Sequence, residues 1–335
     1  MIGTRIILEN RKPLNTLLPL ESPLVLFIDP SDACNSKCSF CPTSNNELMK
    51  EVKRPLKQMS FGLFSKIIND LEEFETKVKV IRLYGHGEPL LNKDFCDMVF
   101  CAKKSSKVET VDTTTNGILL TNPFLRSKLI DSGIDRINIS VNGLSDEQYL
   151  QFAGIKLDFK NYVEGIKQFY KNKKDTTYLF IKINGDTISK EDEQKFLEIF
   201  EPIADAVAIE KSMNCWSGFE PKGFIRQEEN IGIYGQTINK PVDICPYLFY
   251  SMMINSNGEV SNCFLDWNLK MVIEDVKYSS VKQIWNGHTL KEMRKLMLYG
   301  HRKVHPICSK CEQLLKGMPE NLDPYRKELI NKYNY

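Results

Sequence analysis

Long apolar runs, an excess of charge and histidine are what this sequence lacks, and each absence removes a class of protein. No stretch reaches the roughly 18 apolar residues of a helical membrane span. The N-terminus, Met1-Ile2-Gly3-Thr4-Arg5, has neither the apolar segment nor the small-residue cleavage site of a secretory signal. Both absences predict a cytoplasmic protein with no membrane partner. Lys and Arg total 45 against 43 Asp and Glu, and the basic residues are spread along the chain, so there is no electrostatic footprint for nucleic acid. Only four histidines occur in 335 residues, which matters because cysteine is plentiful and its partners have to be found elsewhere.

Seven of the ten cysteines fall into two groups with metal-ligand spacing. In a chain without a secretory signal these are reduced thiols and not disulfides. The first group is Cys34-Asn35-Ser36-Lys37-Cys38-Ser39-Phe40-Cys41, a C-x3-C-x2-C loop directly after the apolar run Pro23 to Ile28. A zinc knuckle would need a fourth Cys or His nearby, and the nearest histidine is His86. Three thiolates closing on a 4Fe-4S cubane leave one iron open to an outside ligand.

From Pro23 onward, short β-rich runs alternate with helical ones. The runs predict strands at Leu24 to Ile28, Val78 to Leu83, Val108 to Thr113, Ile134 to Val141, Tyr178 to Ile183 and Ala204 to Ile209. Helices are predicted from Ser60, over Lys93 to Lys104, Asn122 to Asp131, residues 145 to 174, and Glu191 to Glu201. Serial β/α units demand a parallel sheet with right-handed crossovers, and six are too few to close an eight-stranded barrel. In such folds functional residues gather at the carboxyl ends of the strands. The distinctive segments are there: Tyr84-Gly85-His86-Gly87-Glu88-Pro89 after the second strand, Thr113-Thr114-Thr115-Asn116-Gly117 after the third, and Ser140-Val141-Asn142-Gly143 after the fourth.

The cysteine spacing, with Phe40 just before its last member, resembles the radical S-adenosylmethionine (SAM) superfamily. The resemblance selects an α/β partial (β/α)6 TIM-like barrel over an open sheet. It implies that Cys34, Cys38 and Cys41 hold a 4Fe-4S cluster, with SAM on the open iron. Gly87, Glu88 and Pro89 match the family's G-G-E-P element, whose backbone receives the SAM ammonium, with His86 in place of the first glycine. Asn116 matches a T-N-G segment, and Ser140 and Asn142 an S-x-D-G segment in which Asn replaces Asp. The resemblance turns these toward the SAM ribose and carboxylate and packs Phe40 beside the adenine.

The second group is Cys245, Cys263, Cys308 and Cys311, as C-x12-G-x4-C followed by C-x2-C. Asn255-Ser256-Asn257-Gly258 is a hairpin turn between two strand-like runs, and Val281 to Met297 reads as a helix. This layout resembles the shortened SPASM module called twitch, closest within the superfamily to cyclitol (2-deoxy-scyllo-inosamine) dehydrogenases. The implied second cofactor is one further 4Fe-4S cluster; from spacing alone, four-cysteine zinc is the alternative. Four thiolates would occupy every iron, suiting that cluster to electron transfer or structure and not to holding substrate. The expected organisation is a leader at 1–22, the barrel at 23–215, a Gly/Asn/Gln-rich linker at 216–244, the twitch module at 245–311 and a helical tail at 312–335.

The expected activity is oxidation of a carbinol carbon in a sugar or cyclitol, served by a reductant such as flavodoxin or ferredoxin. The alternatives are a radical epimerase in which Cys215, after the sixth strand, gives a hydrogen atom; a peptide maturase; and a non-enzymatic iron-sulfur or zinc protein. Lys182, Glu210, Lys211, His86 and Arg226 are the possible general bases.

Overall fold

The computed structural model describes residues 11–225, 230–238, 240–317 and 319–334. Of the possible bases, Arg226 lies outside the described residues. Six strands follow the expected order: β1 Val25–Ile28, β2 Val78–Leu83, β3 Val108–Thr115, β4 Arg136–Val141, β5 Tyr178–Asn184 and β6 Ala206–Glu210. They pair consecutively and in parallel, as a splayed partial barrel requires.

Period-2 alternation assigns the two faces of the sheet. Leu26, Ile28, Ile81, Leu83, Val111, Ile137, Ile139, Leu179, Ile181 and Val207 are buried in the main core, with Phe64, Ile67, Phe95, Val99, Phe169 and Phe196 of the crossover helices. On the other face the paired positions are polar or aromatic. Arg82 pairs with Asp112 and Asp112 with Arg136 in register, Arg82 Nε lies 3.3 Å from Asp112, and Arg136 stacks over Tyr178 and Phe180. Apart from a small apolar cluster of Phe180, Ala206 and Ala208, this inner face is a polar lumen.

Ser60 caps the helix Phe61–Asp70, its hydroxyl accepting from Leu63 N at 3.2 Å. The helical stretch read as 145–174 is two helices, Asp146–Ala153 and Phe159–Asn172. Gly154, at φ +63°, ends the first, and Asp158 caps the second. The helix read as Val281 to Met297 is likewise split into Val281–Trp285 and His288–Leu298, at Asn286-Gly287.

The larger departure from the sequence reading is at the C-terminal hairpin. β7 (Ser251–Ile254) and β8 (Glu259–Ser261) form it as expected, with Gly258 at φ +94° in the turn. However, β7 also pairs in parallel with β1, Val25 opposite Ser251 through Ile28 opposite Ile254. A further strand, β9 (Val272–Asp275), extends the sheet to nine strands in the order β6-β5-β4-β3-β2-β1-β7-β8-β9. The hairpin therefore continues the barrel sheet across β1, the strand that carries the first cysteine loop. The described part of the 216–244 stretch is tied to the barrel: Lys222 N donates to Ser39 O (3.1 Å), Ile225 N to Asp186 O (2.7 Å), and Lys211 N to Ile233 O (2.8 Å).

Candidate active site and cluster cradles

The chain turns sharply after β1, and the loop that follows is held from both sides. Lys37 N and Ser39 N donate to the carbonyls of Ala153 and Phe152 at 2.7 and 3.0 Å, pinning the loop to the end of helix Asp146–Ala153. The thiols of Cys34, Cys38 and Cys41 come near enough to act on one another electrically. Cys38 is raised well above the usual thiol range by burial and then by Cys41 and Cys34. Cys34 is the most open of the three, yet burial of its sulfur, Glu88 and Cys41 push it up to about 12. Backbone and hydroxyl groups already face these sulfurs: Ser36 N lies 3.5 Å from Cys34 Sγ, and Thr43 Oγ1 3.0 Å from Cys41 Sγ. Crowded, buried thiols of this kind suit a group that binds them as thiolates.

The segment after β2 packs against that loop so tightly that side chains are excluded. A Cβ on Gly87 would sit 1.9 Å from Ser31 O and 2.5 Å from Ala33 O. Glu88 N donates to Ala33 O at 2.8 Å. The Glu88 carboxylate is fully engaged within the protein, accepting from Thr115 Oγ1 (2.5 Å), Asn116 N (2.8 Å) and Leu90 N (3.0 Å). Asn116 in turn donates to Asn35 Oδ1 at 2.6 Å. The side chains of Glu88 and Asn116 thus lock the ends of β2 and β3 to each other and to the cysteine loop that follows β1. Phe40, Ser140 and Asn142 come together around a cavity of about 210 Å³, with Lys182, Asn184, Glu210, Ser212 and Trp216 on its other sides.

Arg54, Asp29 and Asp32 were not evident from the sequence. Arg54 is fully buried, forms a close ion pair with Asp32 and lies 3.8 Å from Asp29. Its Nη1 donates to the carbonyl of Trp267, beyond β8, at 2.6 Å. With one cation between two carboxylates, burial and the Asp32 charge push Asp29 up to about 8 against the pull of Arg54. Asp29 still accepts from Ser31 N and His86 N, at 3.2 and 3.1 Å. His86 is buried edge-on to Trp216, with ring centroids 5.9 Å apart. Burial first, then Arg54, holds its imidazole well below the usual range and therefore neutral. A lone arginine within a polar loop carries no periodic signal; only its burial distinguishes it.

The second thiol set also gathers. Cys245, Cys263, Cys308 and Cys311 line one cavity of about 460 Å³, and Cys215 and Trp216 are on its wall. Cys245 is pushed up to about 12 by burial and by Cys308 and Cys311; Cys263 lies well above the usual range for the same reasons, with Cys245 the nearest influence. Cys308 is at about 11. Cys215 reaches about 12, by burial and then Cys311, and it also senses Cys41 of the first set. It is therefore near both groups. Among the described residues no three Cys, His, Asp or Glu side chains close to the spacing of a single metal ion; the four thiols surround a volume. Cys96 and Cys101 sit apart on helix Phe95–Lys104, packing in or against the core.

Two family models match the chain. One, described as the radical SAM superfamily, covers residues 28–200, and the other, an iron-sulfur cluster-binding domain called SPASM, covers 245–312. The chain belongs to the radical SAM superfamily and is an enzyme of that class. Among curated proteins it is 24% identical over 314 residues to a probable GTP 3',8-cyclase of Methanocaldococcus jannaschii, spanning 92% of this chain and 94% of that one. Among solved structures it resembles BtrN in complex with AdoMet and 2-DOIA, with TM-score 0.51 and 18% identity over 86% of this chain and 92% of that one. It also resembles Streptococcus suis SuiB bound to precursor peptide SuiA, with TM-score 0.62 and 17% identity over 84% of this chain and 69% of that one. At these identities the structural likenesses establish the fold.

Two outcomes follow from the packing. Gly87→Ala forces the strand-end segment off the cysteine loop, so iron bound at the first thiol set after anaerobic reconstitution should fall at least tenfold while far-UV circular dichroism is retained. Arg54→Met leaves the buried Asp32 carboxylate without its cation and should cost about 3–5 kcal/mol in urea unfolding, with part of the loss recovered when Asp32→Asn is added.

Proposed function

We propose that the protein is a radical SAM oxidoreductase that oxidises a carbinol carbon of a sugar or cyclitol. The residues present fit two clusters: Cys34, Cys38 and Cys41 would hold one with an iron left for SAM, and Cys245, Cys263, Cys308 and Cys311 a fully ligated second. When bound, the first with SAM supplies a 5'-deoxyadenosyl radical, and the second a one-electron acceptor.

The observation that carries the reading is the polar lumen beside these cradles. Across the cavity from Phe40, Ser140 and Asn142, the residues the resemblance turns toward SAM, the wall carries Asn184, Ser212, Lys182 and Glu210, amide, hydroxyl and charged groups that a polyhydroxylated molecule lying next to SAM would meet. Lys182 Nζ and Glu210 Oε2 are 2.7 Å apart on the same wall. A carboxylate so paired is placed to take a hydroxyl proton while the ammonium steadies the developing carbonyl oxygen. The described cations on the wall of this smaller cavity are both matched, Lys182 by Glu210 and Lys211 by Asp186 at 3.8 Å, so among the described residues this wall offers a polyphosphate no surplus positive charge.

A second reading, a radical epimerase, is favoured by Cys215. Its thiol is buried, raised by that burial so that it keeps its hydrogen at neutral pH, and lines the cavity of the second thiol set, as suits a hydrogen-atom donor.

The test is anaerobic incubation of reconstituted protein with SAM, dithionite and a panel of deuterated sugars and cyclitols. Transfer of carbinol deuterium into 5'-deoxyadenosine, with a ketone product, is expected; failure to cleave SAM with any polyol would sink the proposal. Cys215→Ala should leave ketone formation within about threefold. If instead the product is an inverted alcohol that gains deuterium from D2O, and the variant loses it, the epimerase reading replaces the first.

A further inference from the structure

The C-terminal cavity contains one strong donor that no protein group satisfies. Arg302, in the short turn His301–Lys303 after helix His288–Leu298, lines the cavity formed by Cys245, Cys263, Cys308 and Cys311. Its Nη2 donates to Cys311 O at 3.3 Å, which steers the guanidinium over the C-x2-C loop. Its Nε is buried and has no hydrogen-bond partner among the described residues. A buried cationic N–H left unmade is costly, so an acceptor is expected where it points.

The ionisable side chains next to it are already engaged. His305 Nδ1 already accepts from Ile307 N and Cys308 N, at 3.3 and 3.2 Å. The Glu312 carboxylate is engaged by Asn214 N at 2.6 Å and lies 3.5 Å from Lys316. From Met293 to Cys311 the sequence has no acidic residue. Asn262 Oδ1 is a second buried group without a partner among the described residues on the wall of this cavity, but the Arg302 charge acts on the thiols of Cys308 and Cys311, drawing both down against their burial.

We infer that Arg302 is a positioning residue for the second cluster, its Nε–H donating to a sulfur of the group held by Cys308 and Cys311 and raising that group's reduction potential. Reduction adds negative charge, and a cationic donor at the sulfur stabilises the reduced form more than the oxidised one. This biases the second site toward accepting an electron. The inference rests on the reading of the second thiol set as a cluster site.

The test is an EPR-monitored redox titration of the reconstituted holoprotein. Wild type should hold about eight irons per chain, as two 4Fe-4S clusters require. A count of about four, with the second set empty, would sink the cluster reading and this inference with it. With both clusters present, Arg302→Met should lower the second midpoint by at least the equivalent of tenfold in the reduction equilibrium, ~59 mV for one electron, leaving the first unmoved. Arg302→Lys, which keeps the charge but not the planar fork, should recover only part of the shift. An unchanged midpoint in the Met variant, or full recovery by Lys, overturns the assignment. Should Arg302→Met fail to load its second cluster, wild-type protein labelled with 15N-arginine decides the matter. HYSCORE of the reduced second cluster should show a nitrogen coupling, and absence of that coupling overturns the inference.

Discussion

A single buried cation ties the two halves of the site together. Arg54 comes from the segment just past the first cysteine loop, neutralises Asp32 at the base of that loop, sits beside Asp29 at the end of β1, and bonds the Trp267 carbonyl in the C-terminal region. Trp267 passes the connection on, its indole N–H donating to Ser217 O at 3.0 Å, two residues beyond Cys215. A charge with no access to water must keep its partners. The first cysteine loop, the segment after β6 and the module bearing the second thiol set are therefore fixed relative to one another by the same group.

β1 is where the covalent and the non-covalent organisation meet. It carries the first loop at its carboxyl end, pairs with β2 on one side and with β7 on the other, and Phe27 stacks on Phe264, directly after Cys263, with centroids 4.8 Å apart. In a parallel pair the carboxyl ends point the same way, so the β7 turn is delivered to the rim from which the first cysteine loop starts, and β8 then runs back antiparallel along β7 before Cys263. A C-terminal module attached only by a flexible stretch would have no such obligation.

Much of this was legible in the chain. The β/α alternation predicted all six barrel strands, because half-buried strands and amphipathic helices leave different periods. The paired cysteine groups were legible because ligand spacing is local. Less was visible in the helices: Gly154 and Gly287 each break a stretch that reads as one helix, and a single glycine within a helical pattern does not announce which conformation it adopts. β9, the pairing of β7 with β1, and Arg54 left no local trace, since register across more than 200 residues of separation and the burial of a lone charge are properties of the assembled chain.

Glu88 and Asn116 mark the same boundary. The family resemblance implies that both lie near SAM; both stand at strand ends, and their side chains hold the cysteine loop. The sequence by itself determined the class of fold, the two sets of thiols and the strand ends that serve them, for these are encoded in short-range spacing and alternation. Only the tertiary structure decided that the hairpin joins the barrel sheet, that Cys215 comes near both thiol sets, and that one arginine holds the arrangement together. Those outcomes depend on which buried groups find partners once water has been excluded, and residues far apart in the chain settle that jointly.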